Sequence, residues 1–284
     1  MDKCIIIWRW EMFIYKSHIL DNSYQYESMR HLPTFVNRIL YRVLLELHEK
    51  LYELAKLDLK AANILRNNYV FPHAIYFYAQ SFEKSTKSIL AEYFVSFEDM
   101  VEQEVEQKLK KSYGHKLINV GTGMMRILID DDTRRYVMAG GKETDDFIQK
   151  PRDAIQSLDQ HNYTEEDMIV NFRDIVSHNY KFYLKTKNKE SDDEHPGWEY
   201  LRQQFANPMT KYLKYMTISW ILAPVLENVE KYVRYPSNSV NYNNVEFFMD
   251  YGNKRACEML DEMISELIDT VPLVWDKIKT LTPV

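Results

Sequence analysis

Seven glycines in 284 residues restrict what this chain can fold into. Tight strand–helix turns and phosphate-cradling loops need residues that take positive φ or let a backbone approach a ligand, and glycine supplies both. An α/β enzyme of this length needs more of them. Long stretches rich in Leu, Lys, Glu and Ala point the same way, to an all-α fold. Hydrophobic residues make up 45% of the chain, enough for a packed core and too many for a disordered one. There is no internal repeat or low-complexity tract, and nothing marks two separate domains.

Residues 1–33 are irregular in pattern and read as an N-terminal extension. Residues 34–284 read as one helical domain with an inserted helical segment near 185–232. Leu40, Val43, Leu44, Leu47, Leu51, Leu54 and Leu57 recur at helical spacing and predict a helix over 34–67. A second helix is predicted over 72–95, with Pro72 in its first turn. Its stripe Ala74, Phe77, Tyr78, Ser81, Phe82, Ser85 and Ile89 places small residues where a neighbouring helix can come close. Residues 98–111 are charged and read as a solvated helix. A helix over 115–129 is expected although Gly121 and Gly123 oppose it. Residues 130–157 are mixed, with a turn at Gly140-Gly141, and Asp130-Asp131-Asp132 reads as a polar loop. Thr164 followed by Glu165, Glu166 and Asp167 is an N-terminal cap with acid in the first turn. It opens a helix whose apolar stripe is Met168, Phe172, Ile175 and Phe182. Residues 185–196 form a polar linker, and two further helices are expected over 198–232 and 245–280.

The net charge of −6 excludes a global basic field for nucleic acid, so any RNA contact must use a local patch. Cys4 and Cys257 match no metal-ligand spacing, which fits a reducing cytoplasm. The first ten residues lack a long apolar core and a small-residue cleavage site, so no secretory signal is expected. The run from Met216 to Leu226 is too short to span a bilayer and reads as a buried core helix. No Walker loop, dinucleotide fingerprint, zinc-ligand pair or nucleotidyltransferase motif is present, so no metal and no cofactor is expected.

The segment Arg173-Asp174-Ile175-Val176-Ser177-His178-Asn179-Tyr180 carries the chemistry. Arg supplies a fixed cationic fork that grips a phosphate. His exchanges a proton near neutral pH. The pair suffices for RNA cleavage without metal: a 2′-hydroxyl attacks the adjacent phosphorus, His moves protons, and Arg offsets the charge growing on the phosphoryl oxygens. A structural histidine on a helix is the competing interpretation. At 3.6 residues per turn Arg173 and His178 lie about 140° apart, Arg173 and Tyr180 are nearly eclipsed, and Asp174 shares a face with His178. One straight helix does not set Arg173 beside His178, whereas a two-fold axis pairing the helix with its copy does. Lys181, Lys185, Lys187 and Lys189 follow as a basic run that either tracks RNA backbone or simply solvates a helix end.

Three stretches resemble the HEPN superfamily. Leu57-Asp58-Leu59-Lys60-Ala61-Ala62-Asn63-Ile64-Leu65 and 74–90, with its Gln80 and Glu83-Lys84, are similar to the first two HEPN helices. Gly114-His115-Lys116-Leu117 resembles the entry to the third. Residues 171–180 resemble the Arg-x4-His-x-Tyr signature of HEPN ribonuclease toxins, and Val233-Arg234-Tyr235-Pro236 is similar to the entry to the last helix. The resemblance implies a HEPN-like antiparallel helical bundle. It implies a homodimer with Arg173 and His178 catalytic at the interface, and metal-independent endoribonuclease activity in a toxin–antitoxin or antiphage system. It makes Tyr180 a target for adenylylation by a minimal nucleotidyltransferase antitoxin. Asp174 stands where that branch has Asn, and either weakens phosphate binding or orients His178. Lys181 and Lys185 are the expected RNA contacts. Glu83 and Lys84 read as packing and ion-pair residues. The alternatives are a non-catalytic HEPN scaffold that binds RNA, nucleotide or a partner protein, and a helical protein that caps a larger assembly.

Overall fold

The computed structural model describes residues 46–138, 163–187, 212–234 and 244–280, together with 140, 142 and 153. All belong to one unit, residues 46–284. The expected extension over 1–33, the helix start at 34, and the whole segment over 188–211 lie outside the described residues. Among the described residues every element is helical and no strand occurs, so the fold is all-α.

Two long helices form the first hairpin, α1 (Leu47–Asn67) and α2 (Phe71–Ser96). Glu46 caps α1, its backbone N–H donating to Glu49 Oε2 at 3.1 Å. At the other end the N–H of Tyr69 bonds Arg66 O and that of Val70 bonds Leu65 O. This is a Schellman closure, with Tyr69 at φ 62° in the position usually held by glycine. Pro72 then sits in the first turn of α2, as expected. The helices approach closely because Ala55 and Ala62 face α2 with no exposed surface, and Ser81 Oγ donates to Ala55 O at 2.8 Å. α2 is buried on most of its circumference, the mark of a central helix.

The remaining elements wrap α2. Helix α3 (Glu102–Lys108) runs into a single π turn over Leu109–Tyr113. Helix α4 (Leu117–Met138) extends well past the expected end at 129. Asp130 and Asp131 are therefore helical, and Asp131 is fully buried beside Lys277 Nζ at 3.7 Å, so the polar-loop expectation is corrected. Gly121 does not break α4; it admits neighbours. A Cβ there would lie 3.1 Å from Ala223 Cβ and 3.3 Å from Phe82 Cζ.

Helix α5 (Glu165–Val170) opens with the predicted cap, Asp167 N–H donating to Thr164 Oγ1 at 3.1 Å. It stops at Asn171, and α6 (Phe172–Lys187) starts afresh. Helix α7 (Tyr212–Arg234) carries the apolar run over 216–226 mostly as buried core, with Met216 half-buried and Trp220 exposed. Its Glu227 closes the start of α4 by accepting Ile118 N–H at 2.7 Å. The helix expected over 245–280 is two helices, α8 (Asn244–Met249) and α9 (Asn253–Ile278), separated by the turn Asp250-Tyr251-Gly252. α9 packs its stripe of Ala256, Cys257, Leu260, Met263, Ile264, Leu267, Val271 and Val274 against the hairpin and α6. Asp261 fixes it to α1 through Arg66 Nη1 and Asn63 Nδ2, each at 2.8 Å. Burial pushes the Cys257 thiol up to about 12. No helix among the described residues is long and apolar enough to cross a membrane.

Candidate functional site

The break at Asn171 places Arg173 in the first turn of α6. A cation is disfavoured there by the helix dipole, so it needs a partner. The partner is the α8–α9 turn. Arg173 Nη2 lies 3.2 Å from Asp250 Oδ1, and its guanidinium carbon sits 4.9 Å over the Phe247 ring. The group rests on Gly252: a Cβ at 252 would overlap Nη1 and come within 2.8 Å of Cζ. Asp250 Oδ1 also accepts the Gly252 N–H at 2.6 Å, so one carboxylate oxygen holds both the turn and the arginine. Arg173 keeps 37% of its side-chain surface in solvent, while its Nε is buried without a partner. The fork is thus seated, with part of it open to solvent.

Tyr180 turns to the same side, as its seven-residue spacing from Arg173 requires. Its hydroxyl hydrogen-bonds Glu262 Oε2, and Arg255 lies 5.9 Å from its ring centroid. Arg173 and Tyr180 therefore dock along the start of α9. His178 does not join them. It is exposed, and no hydrogen bond or ion pair holds it among the described residues. Asp174, one turn earlier, is exposed too, and no bond links the two. Lys181 is exposed, and Lys185 lies in the last part of α6. The opposite side of α6 anchors it. Phe172, Val176 and Tyr183 are buried, Asn179 Nδ2 donates to Ile221 O at 3.3 Å, and the Tyr183 hydroxyl bonds Glu266, which also takes Lys214 at 3.0 Å.

The sequence reading missed Phe247, Asp250 and Gly252. The signal was present in the Asp-x-Gly triplet, a turn former inside an otherwise continuous helical pattern. Nothing in it said which cation the turn would hold.

Two further polar groups lie elsewhere. Glu83 is buried in α2; its Oε1 takes Lys87 Nζ at 2.6 Å, and its Oε2 lies 3.1 Å from His115 Nδ1 and 3.3 Å from Gln80 Nε2. Gln80 also reaches Glu230 Oε1 at 3.2 Å, and Lys84 pairs with Asp58. Glu83 and Lys84 are thus ion-pair residues, as expected: Glu83 joins its own helix to the turn before α4, and Lys84 joins α2 to α1. Glu46, His48 and Glu92 are three metal-capable side chains whose ligand atoms lie within 4.8 Å of one another. His48 Nδ1 stands 3.1 Å from Glu92 Oε2, and its ring meets Trp275 edge-on at 4.7 Å. These belong to α1 and α2, and no residue of the Arg-x4-His-x-Tyr segment takes part. Comparison of the chain with protein-family models, curated proteins and solved structures finds no match.

Proposed function

We propose that the chain is a metal-independent endoribonuclease of HEPN type, acting as a homodimer in a toxin–antitoxin or antiphage defence role. The observation that carries the reading is the contrast within α6: Arg173 is seated yet partly open, and His178 projects into solvent with an unengaged ring. A histidine kept for structure would be tied or buried. In the proposed reaction a ring nitrogen of His178 takes the proton of a 2′-hydroxyl as its oxygen bonds phosphorus. The bond from phosphorus to the 5′-oxygen breaks, and that oxygen takes a proton from a second acid, assigned here to His178 of the second copy. Arg173 stabilises the equatorial oxygens. The products are a 2′,3′-cyclic phosphate and a 5′-hydroxyl. Lys181 and Lys185 extend the phosphate contact along α6. An AMP on Tyr180 would put charge and bulk beside Arg173, which is how a nucleotidyltransferase antitoxin would silence the site.

Incubating the chain with end-labelled RNA in EDTA tests the chemistry. Cleavage that survives chelation and leaves cyclic phosphate ends is expected. Cleavage abolished by chelation and restored by magnesium would replace this reading with a metal-dependent one. A second reading, a scaffold that binds RNA, nucleotide or protein without cutting, draws on Asp250: the fork that would grip phosphate already faces a carboxylate. Binding of RNA with no cleavage under any of these conditions would select it.

A further inference from the structure

The α1–α2 hairpin is closed at one end by its turn, and at the open end three ligand-bearing side chains meet. Glu46 and His48 stand at the start of α1, and Glu92 lies in the last part of α2. His48 and Glu92 keep only 11% and 4% of their side-chain surface in solvent, while Glu46 keeps 63%. His48 Nδ1 lies 3.1 Å from Glu92 Oε2 and 3.4 Å from Glu46 Oε2. It is nevertheless buried without a hydrogen bond, so the ring nitrogen aims at neither oxygen. Trp275 packs edge-on against the imidazole at 4.7 Å and holds that orientation. Glu92 accepts from Ser96 Oγ at 2.7 Å, and no Lys or Arg pairs with it among the described residues. Lys50, one turn on from Glu46, is turned to Glu102 at 3.8 Å. A buried carboxylate beside a second carboxylate needs a countercharge. A protonated His48 would supply it by turning its N–H onto an oxygen, and the ring is not so turned.

We infer that Glu46, His48 and Glu92 bind one zinc ion, which clips the open end of the hairpin. Ligands that share an ion stand off one another's lone-pair line, because the ion occupies it. With bonds of about 2.0–2.2 Å, the ligand atoms of a tetrahedral zinc stand roughly 3.3–3.6 Å apart. The two separations from Nδ1 are close to that. All three ligand atoms lie within 4.8 Å of one another, and the exposed Glu46 is free to close the remaining gap. The imidazole selects the metal: magnesium and calcium take oxygen ligands, whereas zinc takes nitrogen and oxygen together. Three protein ligands with one at the surface leave the fourth position to water. No sequence spacing announces the site, because Glu92 joins the other two only once the hairpin has closed. α6 contributes no ligand, so the inference does not rest on the ribonuclease reading, and its test reads binding and melting in place of cleavage.

The full chain without a purification tag, stripped with EDTA and titrated with zinc chloride in a calorimeter, tests it. One zinc per chain is expected, with magnesium and calcium bound at least about 100-fold more weakly. Zinc at about 100 times Kd should raise the melting temperature by about 5–10 °C. Glu46→Gln changes an exposed side chain and keeps its oxygen, so the fold is retained while zinc affinity falls about tenfold or more. Glu92→Gln can still accept from Ser96 and should abolish the melting response to zinc. Stripped of metal, this variant should melt no lower than the stripped native chain, because it removes a buried charge. Three results would overturn the inference: a native chain whose melting ignores zinc, zinc held as tightly by both variants as by the native chain, or a Glu92→Gln chain that melts lower even without metal, which would make the cluster a plain His–Glu pair.

Discussion

Helices α2 and α6 handle their charged groups in opposite ways. In α2 the ionisable side chains named above are tied within the helix or across the bundle: Glu83 to Lys87 one turn on and to His115, Lys84 to Asp58 of α1, and Glu92 to Ser96 one turn on and to His48 of α1. In α6 one side is anchored, yet His178 and Asp174 are left in solvent and Arg173 is half-held by a neighbouring turn. A buried charge without partners costs several kcal/mol, so those of α2 must be satisfied for the bundle to form. The exposed groups of α6 are under no such demand. Their arrangement is therefore informative about activity in a way that the network of α2 is not.

That contrast breaks if α6 turns out to matter for stability, or α2 for chemistry. His178→Ala should cut RNA cleavage about 10²–10⁴-fold, the usual worth of a proton-transfer group, with an unchanged melting temperature. A fall in melting temperature with cleavage kept would make His178 structural. Glu83→Ala should do the reverse. Removing one partner of a buried pair costs about 3–5 kcal/mol, so a large drop in thermal stability is expected, with cleavage per folded molecule retained at low temperature. Arg173→Ala should raise the reaction barrier by on the order of 3 kcal/mol. Its effect should appear in kcat and leave little trace in stability, because the Arg173–Asp250 pair is more than a third exposed and such pairs contribute about 0.2–1 kcal/mol. The smallest effect sharpens the comparison most. Asp250→Asn should free the arginine fork and strengthen RNA binding by up to about fivefold, the size of an exposed ion pair. Weaker cleavage in this variant, measured as KM and kcat separately, would show that Asp250 orients Arg173 and does not compete with phosphate.

Much of the frame was legible because it obeys local rules. Pro72 marked the start of α2, the Thr164–Asp167 box marked α5, and the alternation of small and large residues in α2 marked its approach to α1. The common orientation of Arg173 and Tyr180 followed from spacing alone. What escaped depended on distant partners. Gly121 looked like a flaw in α4 until Ala223 and Phe82 filled the space it leaves. Asp131 looked like loop because its burial is offset by Lys277, far along the chain. The turn over 250–252 was hidden inside a helical period, and its meaning came only from an arginine on another helix. Leu54 and Leu57 fitted a helical stripe, yet both are exposed: periodicity cannot say which apolar face of a helix the rest of the chain will cover.

The attachment of α9 to the α1–α2 hairpin has a consequence for synthesis. Arg66 and Asn63 are complete only when Asp261 arrives, 195 and 198 positions later. The hairpin itself is local and can close as soon as its residues leave the ribosome. At translation rates of about 5–20 residues per second, it then waits on the order of 10–40 s with the apolar ground for α9 uncovered. The nascent chain passes through a stage in which its most hydrophobic helix is formed and unsheltered. The order of the elements therefore leaves that apolar surface exposed during the interval, and a truncation that removes α9 should leave the hairpin aggregating as a formed helical pair.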